Sequence, residues 1–489
     1  KLFNQAHDPY TEATLAAAIR EGVNSQGRSM NVLMPRYSLT DREVRGVQAY
    51  LAQLSTQWSP GVTADLIRFA TVITPEVTPE RRRVFIDMMR SMFRQKNGST
   101  VTAGHQRTRH HMTSAAEMVL GTERNWELEI WELSGPPETW EAQLAARYRD
   151  RPVFALLSGL GNASWQPVHD FCHREQVPCW FPSVELPGRP SSDYAFYFSG
   201  GVTLEAGVLA RHLVDHEQRP RRLLQIYREG VVGRAAAQTV HAALHDGAPA
   251  VMDQPFAADA SAADGLAQAI AALHPGDAVM FWLRPEDLQA LSTQSPVPGV
   301  TCYFSALLGG AEQMLLPDGW RAGAHLVYPY ELPDRRTWNL DYFHAWLALR
   351  NLPLIDEAMQ SEAFFAVNFM TDTLSEMLDN LYREYLVERG ETMLSRREGA
   401  KAEQETRDRV ALGQGEDLDR IHGAPTMAAG TRIQRIGQFD GTSRSGGTTR
   451  YPHLSLGPHQ RLASKGGYIV KFAGSHGEQL QAESELIVP

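Results

Sequence analysis

The chain has 489 residues, 43% hydrophobic and 21% charged, with a formal net charge of −10. That length and apolar content suit a globular protein of two to four lobes, each burying its own core. The acidic balance excludes a general electrostatic footprint for nucleic acid or anionic membrane, and no apolar run approaches the ~18 residues of a membrane span. Three cysteines, Cys172, Cys179 and Cys302, are too few for a disulfide scaffold or a cysteine-held cluster. Cys172 and Cys179 lie close enough to pair in an oxidising compartment, and buried free thiols are an equal reading. The basic runs Arg81–Arg83 and 107–111 read as solvated faces. A chain opening at Lys1 without a methionine says nothing about export.

In chain order, Thr11 caps a first helix in YTEATLAAAIREG, where Thr14, Leu15, Ala18 and Ile19 fall at helical spacing and Gly22 ends it. GRSMNVLMPRY follows as an irregular loop, in which Pro35 keeps Met34 out of helical geometry. Thr40 caps a second helix, DREVRGVQAYLAQL. Val44, Val47, Tyr50, Leu51 and Leu54 form its apolar stripe, with Asp41 and Glu43 near its positive end. Two helices and a loop do not make a core alone, so residues 1–55 read as half of a domain. Residues 56–65 read as linker.

From Leu66 the pattern alternates. LIRFATVIT, WELEIWELSG, PVFALLSGLG and VPCWFPSV read as strands, between the helices PERRRVFIDMMRSMFRQKNG, ETWEAQLAARYRD and WQPVHDFCHREQ. A second block, to about residue 310, repeats the rhythm with RRLLQIYRE, APAVMDQPF, DAVMFWL and GVTCYFSALLG as its strands. This alternation predicts an α/β fold of parallel sheets covered by helices. Residues 341–397 read as mostly helical, FMTDTLSEMLDNLYREYLVERGE included. EGAKAEQETRD and GTSRSGGTT, within 398–447 and just beyond, read as loop, and the tail ends in a short strand, GYIVKF.

The order of these elements resembles the type I periplasmic solute-binding proteins, the leucine/isoleucine/valine-binding class that works with ABC importers. The resemblance spans residues 66–489 and rests on pattern: IRFATVIT and its long helix, PVFALLSGLG before a helix, VPCWFPSV a turn later, a second βα block, and TDTLSEMLDNLYREYL returning to the first lobe. It implies two doubly wound lobes, 66–195 with 340–397 as lobe 1 and 196–339 with 398–489 as lobe 2 and tail. Residues 10–54 resemble the C-terminal half of a class I c-type cytochrome, through LAAAIREG, LMPRY and LTDREVRGVQAYL. ELSGPPETW and YPHLSLGPHQRLASKGGYIV are similar to bacterial chains that join the two modules. The cytochrome resemblance implies Met34 as an axial ligand of haem iron. Covalent haem also needs Cys-x-x-Cys-His, and no cysteine precedes Cys172. Haem c is therefore expected only in a longer parent chain, and Met34 is expected here to pack as an apolar side chain.

Ligands of open α/β sheets lie at strand C-terminal ends. SGLGNASW is the sharpest such stretch: Ser158 and Gly159 end a strand, glycines admit a close backbone approach, and Asn162 to Ser164 open a helix whose free N–H groups suit a carboxylate. The resemblance assigns the matching loop to an amino acid's α-carboxylate. Trp165 is a candidate ligand wall or lobe-packing residue. Phe181 ends the next strand. In the second lobe Tyr227, Arg228 and Glu229 follow one strand, with an acidic group there suited to an ammonium, Trp282 and Arg284 end another, and Ser305 ends a third. Aromatic residues near these ends point to an apolar or aromatic ligand, and the first lobe shows no clear acidic clamp.

Gly-x-Ser-x-Gly, His-Glu-x-x-His and a phosphate-binding Gly-x-x-x-x-Gly-Lys-Ser/Thr do not occur, so a non-enzyme is expected. The leading expectation is a periplasmic protein that binds a small organic solute (an amino acid, amide or aromatic acid) between hinged lobes, for an ABC permease or for sensing. The alternative is a periplasmic electron-transfer protein, with a Met-ligated haem, a redox partner, and the lobes as docking platform.

Overall fold

The computed structural model describes residues 10–31, 33–53, 58–109, 124–189, 192–215, 219–244, 249–311, 314–399, 449–457, 459–473 and 479–489. It divides into two units, Lys1–Trp58 and Ser59–Pro489.

The first unit holds the two expected helices, Glu12–Glu21 and Asp41–Gln53. Thr11 and Thr14 close a capping box on the first, and Gly22 ends it at φ 70°, a left-handed conformation natural to glycine. On the second, the Thr40 N–H donates to Glu43 Oε2 at 2.7 Å and the Glu43 N–H to Thr40 Oγ1 at 3.4 Å. Arg20 fastens the two helices through the Leu39 carbonyl at 2.8 Å and Asp41 at 2.7 Å. So small a pair covers little apolar surface. Ala18 and Val44 are buried, but Tyr50 and Leu51 of the expected stripe are exposed, and Leu54 lies outside the described residues. Met34 does not pack either: it is 51% exposed, on a turn closed by Asn31 through the Met34 and Leu33 N–H groups. An exposed thioether in a unit without cysteine does not fit a covalently held haem.

The second unit contains two sheets. In the first, β2 (Asn125–Glu132), β1 (Leu66–Ile73), β3 (Ala155–Leu157), β5 (Cys179–Trp180) and β7 (Ala195–Phe196) lie side by side and parallel. β4 (Leu160–Ser164) meets β1 where Leu160 pairs Ile73, and β6 (Ser183–Leu186) lies beyond β4. In the second sheet, β9 (Ala250–Phe256), β8 (Arg222–Arg228), β10 (Ala278–Trp282), β11 (Thr301–Ser305) and β12 (Ala324–Tyr328) are parallel, and β13 (Tyr468–Ala473) and β14 (Gln479–Ala482) add antiparallel. Strands covered on both faces carry continuous apolar runs; Ala278–Trp282 is buried throughout. That is why the β-α rhythm is visible in the sequence.

Each sheet has its own core. Trp131, Trp140, Trp165 and Phe171 pack in the first, and Leu209, Ala236, Met280 and Tyr303 in the second. A disulfide joins Cys172, on the helix Gln166–Glu175, to Cys179 on β5, and Cys302 is buried and free. The expected late helix is two: Glu357–Met377 ends at Leu378, which takes φ 55°, and a second helix spans 383–399. Both belong to the first lobe. The Trp180 indole donates to the Ala366 carbonyl at 3.1 Å, and Arg383 Nε donates to the Phe154 carbonyl at 3.0 Å. Residues 400–448, which include most of the expected loop, lie outside the described residues.

The tail divides differently from the expected 398–489 grouping. Residues 449–464 run along the first lobe, where Tyr197 pairs Leu462 and the Ser464 N–H donates to the Phe198 carbonyl at 2.6 Å. The chain enters the second lobe afterwards, with Gly467 pairing Ile487. Among the described residues it therefore crosses between lobes near 199–201, 329–332 and 465–467.

Candidate functional site

Between the lobes lies a cavity of about 350 Å³, within the size range of small-molecule sites. The first lobe supplies Arg81 from the first turn of the helix Pro79–Arg109, Asn162 from β4, Ser183 and Glu185 from β6, and the start of Glu357–Met377. The second lobe supplies Arg284, just after β10, and Ala306–Leu308, just after β11. Tyr330, Arg450 and Tyr451 complete the wall. The position agrees with the rule that ligands meet open α/β sheets beyond strand C-terminal ends.

Charge dominates this wall. Arg81 donates to Asp356 Oδ2 at 2.8 Å and to Asn162 Oδ1 at 2.7 Å, so the first arginine of the 81–83 run is a cavity residue, not part of a solvated face. The other basic run, 107–111, has no described side chains. Arg284 crosses between lobes: it donates to Glu185 Oε1 at 2.6 Å, pairs the other carboxylate oxygen, and reaches the Asn162 carbonyl at 3.0 Å. A two-pronged arginine–carboxylate pair fixes direction as well as distance. Burial pushes the Glu185 carboxyl above its usual range, although Arg284 pulls it down. Glu362 is likewise raised by burial against the pull of Arg450, and accepts from the Tyr451 hydroxyl at 2.7 Å. Asp356 caps the helix that carries Glu362, accepting from the Met359 N–H at 3.0 Å. The first lobe thus does supply acidic groups, in Glu185, Asp356 and Glu362. Helix capping and salt-bridge positions disguise them in the sequence.

Of the residues the sequence singled out, Asn162 and Arg284 line this cavity, and Arg228, Glu229 and Trp282 line an adjoining hollow that shares Asn162, Arg284 and Leu308 with it. The others sit elsewhere. Leu160–Ser164 is a strand, and the helix begins only at Gln166, so Asn162 to Ser164 present no helix N-terminus. Ser164 Oγ accepts from the Gln166 N–H at 3.3 Å. Gly159 and Gly161 make room for Trp165: a Cβ on either would come within 3.0 Å of its ring. Trp165 is buried in the lobe core and is no ligand wall. Ser158 is buried at φ 58°, its hydroxyl without a partner. Phe181 is buried among Trp180, Phe196, Phe198, Phe365 and Phe369. Tyr227 packs in the second core, and Trp282 is nearly buried, its indole donating to Gln225 at 3.0 Å. The aromatic side chains near the strand ends therefore serve packing, and the cavity wall is largely polar. Ser305 is also occupied: it bonds the Glu205 carboxylate and accepts from the Leu308 N–H at 3.0 Å.

Glu205 yields a pH prediction. Its carboxylate is fully buried and also accepts from the Leu307 N–H at 2.8 Å, and burial raises its pKa to about 8. A raised folded-state value means that this group's favourable contribution is complete below the unfolded carboxylate range and is lost as pH rises toward 8. Glu205→Gln keeps the shape without the ionisation. Melting temperature measured from pH 5 to 9 should fall less steeply in the variant; equal slopes would contradict the assignment.

No protein-family model matches the chain, and no curated protein sequence matches it. Solved structures do. An ABC transporter substrate-binding protein from Aeropyrum pernix aligns with TM-score 0.54 and 12% identity, over 87% of this chain and 96% of its own. A possible leucine/isoleucine/valine-binding protein from Rhodopirellula baltica gives 0.53 and 12%, over 87% and 98%. An ABC transporter solute-binding protein from Rhodopseudomonas palustris, in complex with 3,4-dihydroxybenzoic acid, gives 0.53 and 10%, over 87% and 98%. At such identities the likeness shows a shared fold, that of the type I periplasmic binding proteins. None of these three is a cytochrome, and the haem resemblance gains no support from them.

Proposed function

We propose that this chain binds a small polar organic solute between its two lobes, without transforming it, as the solute-binding partner of an ABC permease or of a sensing system. The observation that carries the reading is the interlobe cavity, spanned by Arg284 and Glu185 and walled by charged groups of which Arg81 with Asp356 and Arg284 with Glu185 are paired. Fixed, paired charges recognise a ligand and hold lobes in register; hinged closure over the ligand would follow from the fold. A periplasmic location is part of the proposal. The Cys172–Cys179 disulfide supports it, because such bonds persist in oxidising compartments. The haem-linked alternative rests on the resemblance of residues 10–54 alone and is not carried further.

The reading is tested by thermal shift of the full chain against amino acids, amides, organic acids and aromatic acids. A ligand that binds only the folded state raises the melting temperature saturably. We expect one chemical class to do so at sub-millimolar concentration; a flat response across all classes would sink the proposal.

A further inference from the structure

Among the described residues three guanidinium groups reach the cavity, and two of them are hydrogen-bonded to neighbouring side chains. Arg81 has Asp356 and Asn162, and Arg284 has Glu185 and the Asn162 carbonyl. Arg450 differs. It is 5% exposed, and its Nε has no hydrogen-bond partner. Its guanidinium lies 3.6 Å from the Tyr330 ring centroid, and its own carbonyl is fixed by the Glu331 N–H at 2.7 Å. One face of the group is thus covered by an aromatic ring, and its position is set by backbone.

A buried donor without an acceptor is costly, more so on a cation. The carboxylate that acts on it electrostatically is Glu362, one oxygen of which receives the Tyr451 hydroxyl. Burial makes Glu362 harder to ionise, while Arg450 stays protonated, as a guanidinium does across the working pH range of proteins. The cavity therefore holds a positive group short of acceptors. A carboxylate matches a guanidinium fork with two parallel hydrogen bonds.

We propose that Arg450 is the seat of a carboxylate on the bound solute, which makes the solute a small organic acid; this rests on the reading of the interlobe cavity as the solute site. The position of Arg450, in the segment returning along the first lobe, places the anion against Tyr330 and Tyr451.

The test is calorimetric titration of the full chain at pH 7 with aliphatic, hydroxy-, keto-, amino- and aromatic acids, each beside its primary amide. At least one acid is expected to bind, its amide at least tenfold more weakly. Arg450→Gln should weaken that acid by about a hundredfold, in the range for truncating one partner of a buried charge pair, and change the amide less than threefold. Equal binding of acid and amide, or unchanged acid binding in Arg450→Gln, would overturn the assignment. Should the variant fail to fold, the acid–amide comparison in the unaltered protein decides alone. Binding of amides without acids removes the carboxylate seat but leaves the interlobe site standing; binding of neither removes both.

Discussion

Arg284→Ala is expected to lower the unfolding free energy by about 2–3 kcal/mol and to widen the cleft between the lobes. The pair it breaks is only partly screened: the side chains of Arg284 and Glu185 are 32% and 16% exposed. Removing the arginine strands a mostly buried carboxylate and also frees the Asn162 carbonyl from its 3.0 Å bond. The figure is set below the ~3–5 kcal/mol of a fully buried pair because water reaches the Arg284 end. A double-mutant cycle with Glu185→Gln isolates the pair. Unfolding in urea should show the double variant losing less than the sum of the single losses, with a coupling of at least about 1 kcal/mol. Small-angle scattering of Arg284→Ala should show a larger radius of gyration. Additive losses and unchanged scattering would mean that the pair neither stabilises nor holds the lobes together.

Arg383→Ala should cost more, about 3–5 kcal/mol, the range for breaking a buried charged network. This arginine is 5% exposed and collects acceptors from four parts of the first lobe. It donates to the Val153 carbonyl at 2.5 Å, the Phe154 carbonyl at 3.0 Å, the Tyr148 hydroxyl at 3.0 Å, the Pro60 carbonyl at 3.3 Å and the Glu175 and Gln176 carbonyls at 3.4 Å. Its own N–H donates to Ser59 at 3.1 Å. Truncation leaves several buried carbonyls without donors, each a desolvation cost. The helix 383–399 also packs through Gly390, where any Cβ would fall 2.6 Å from Trp180 and 2.9 Å from Phe196. Arg383→Lys should recover only a minority of the loss, since one ammonium cannot span the same acceptors. Guanidinium-chloride unfolding measures both, and a loss under 1 kcal/mol for Arg383→Ala would contradict this account of how the late helix is held.

How far the sequence led depends on the physical origin of each feature. Buried parallel strands such as Ala278–Trp282 must be apolar from end to end, so periodicity finds them. β4 carries Gly161, Asn162 and Ser164, which read as a turn and a cap. They lie in a strand because β6 pairs with Gly161 and Ser164 around a register shift, a long-range fact invisible in local propensity. The cavity wall escaped for a related reason. Arg284 stands at a strand end, as the sequence suggests, but Arg81, Glu185, Asp356, Glu362 and Arg450 meet only in the folded chain, and each looks locally like an ordinary surface charge or cap. Trp165 and Phe181 misled in the opposite direction: they stand at strand ends, but their rings turn into the core, Trp165 over two glycines. The break at Leu378 had no glycine or proline to announce it. Local capping in the first unit, by contrast, was legible, as Thr11 with Gly22 and Thr40 with Glu43 show.

The central claim is that the space between the lobes holds the solute. It is tested most directly by titrating that solute into Ala358→Phe, a substitution on the first turn of the helix Glu357–Met377 that fills the cavity from its wall. One solute per chain should bind the unaltered protein. In Ala358→Phe binding should fall at least tenfold, with the melting temperature of the free protein within a few degrees of the original. Undiminished binding in a variant that folds normally would place the solute elsewhere and contradict the account.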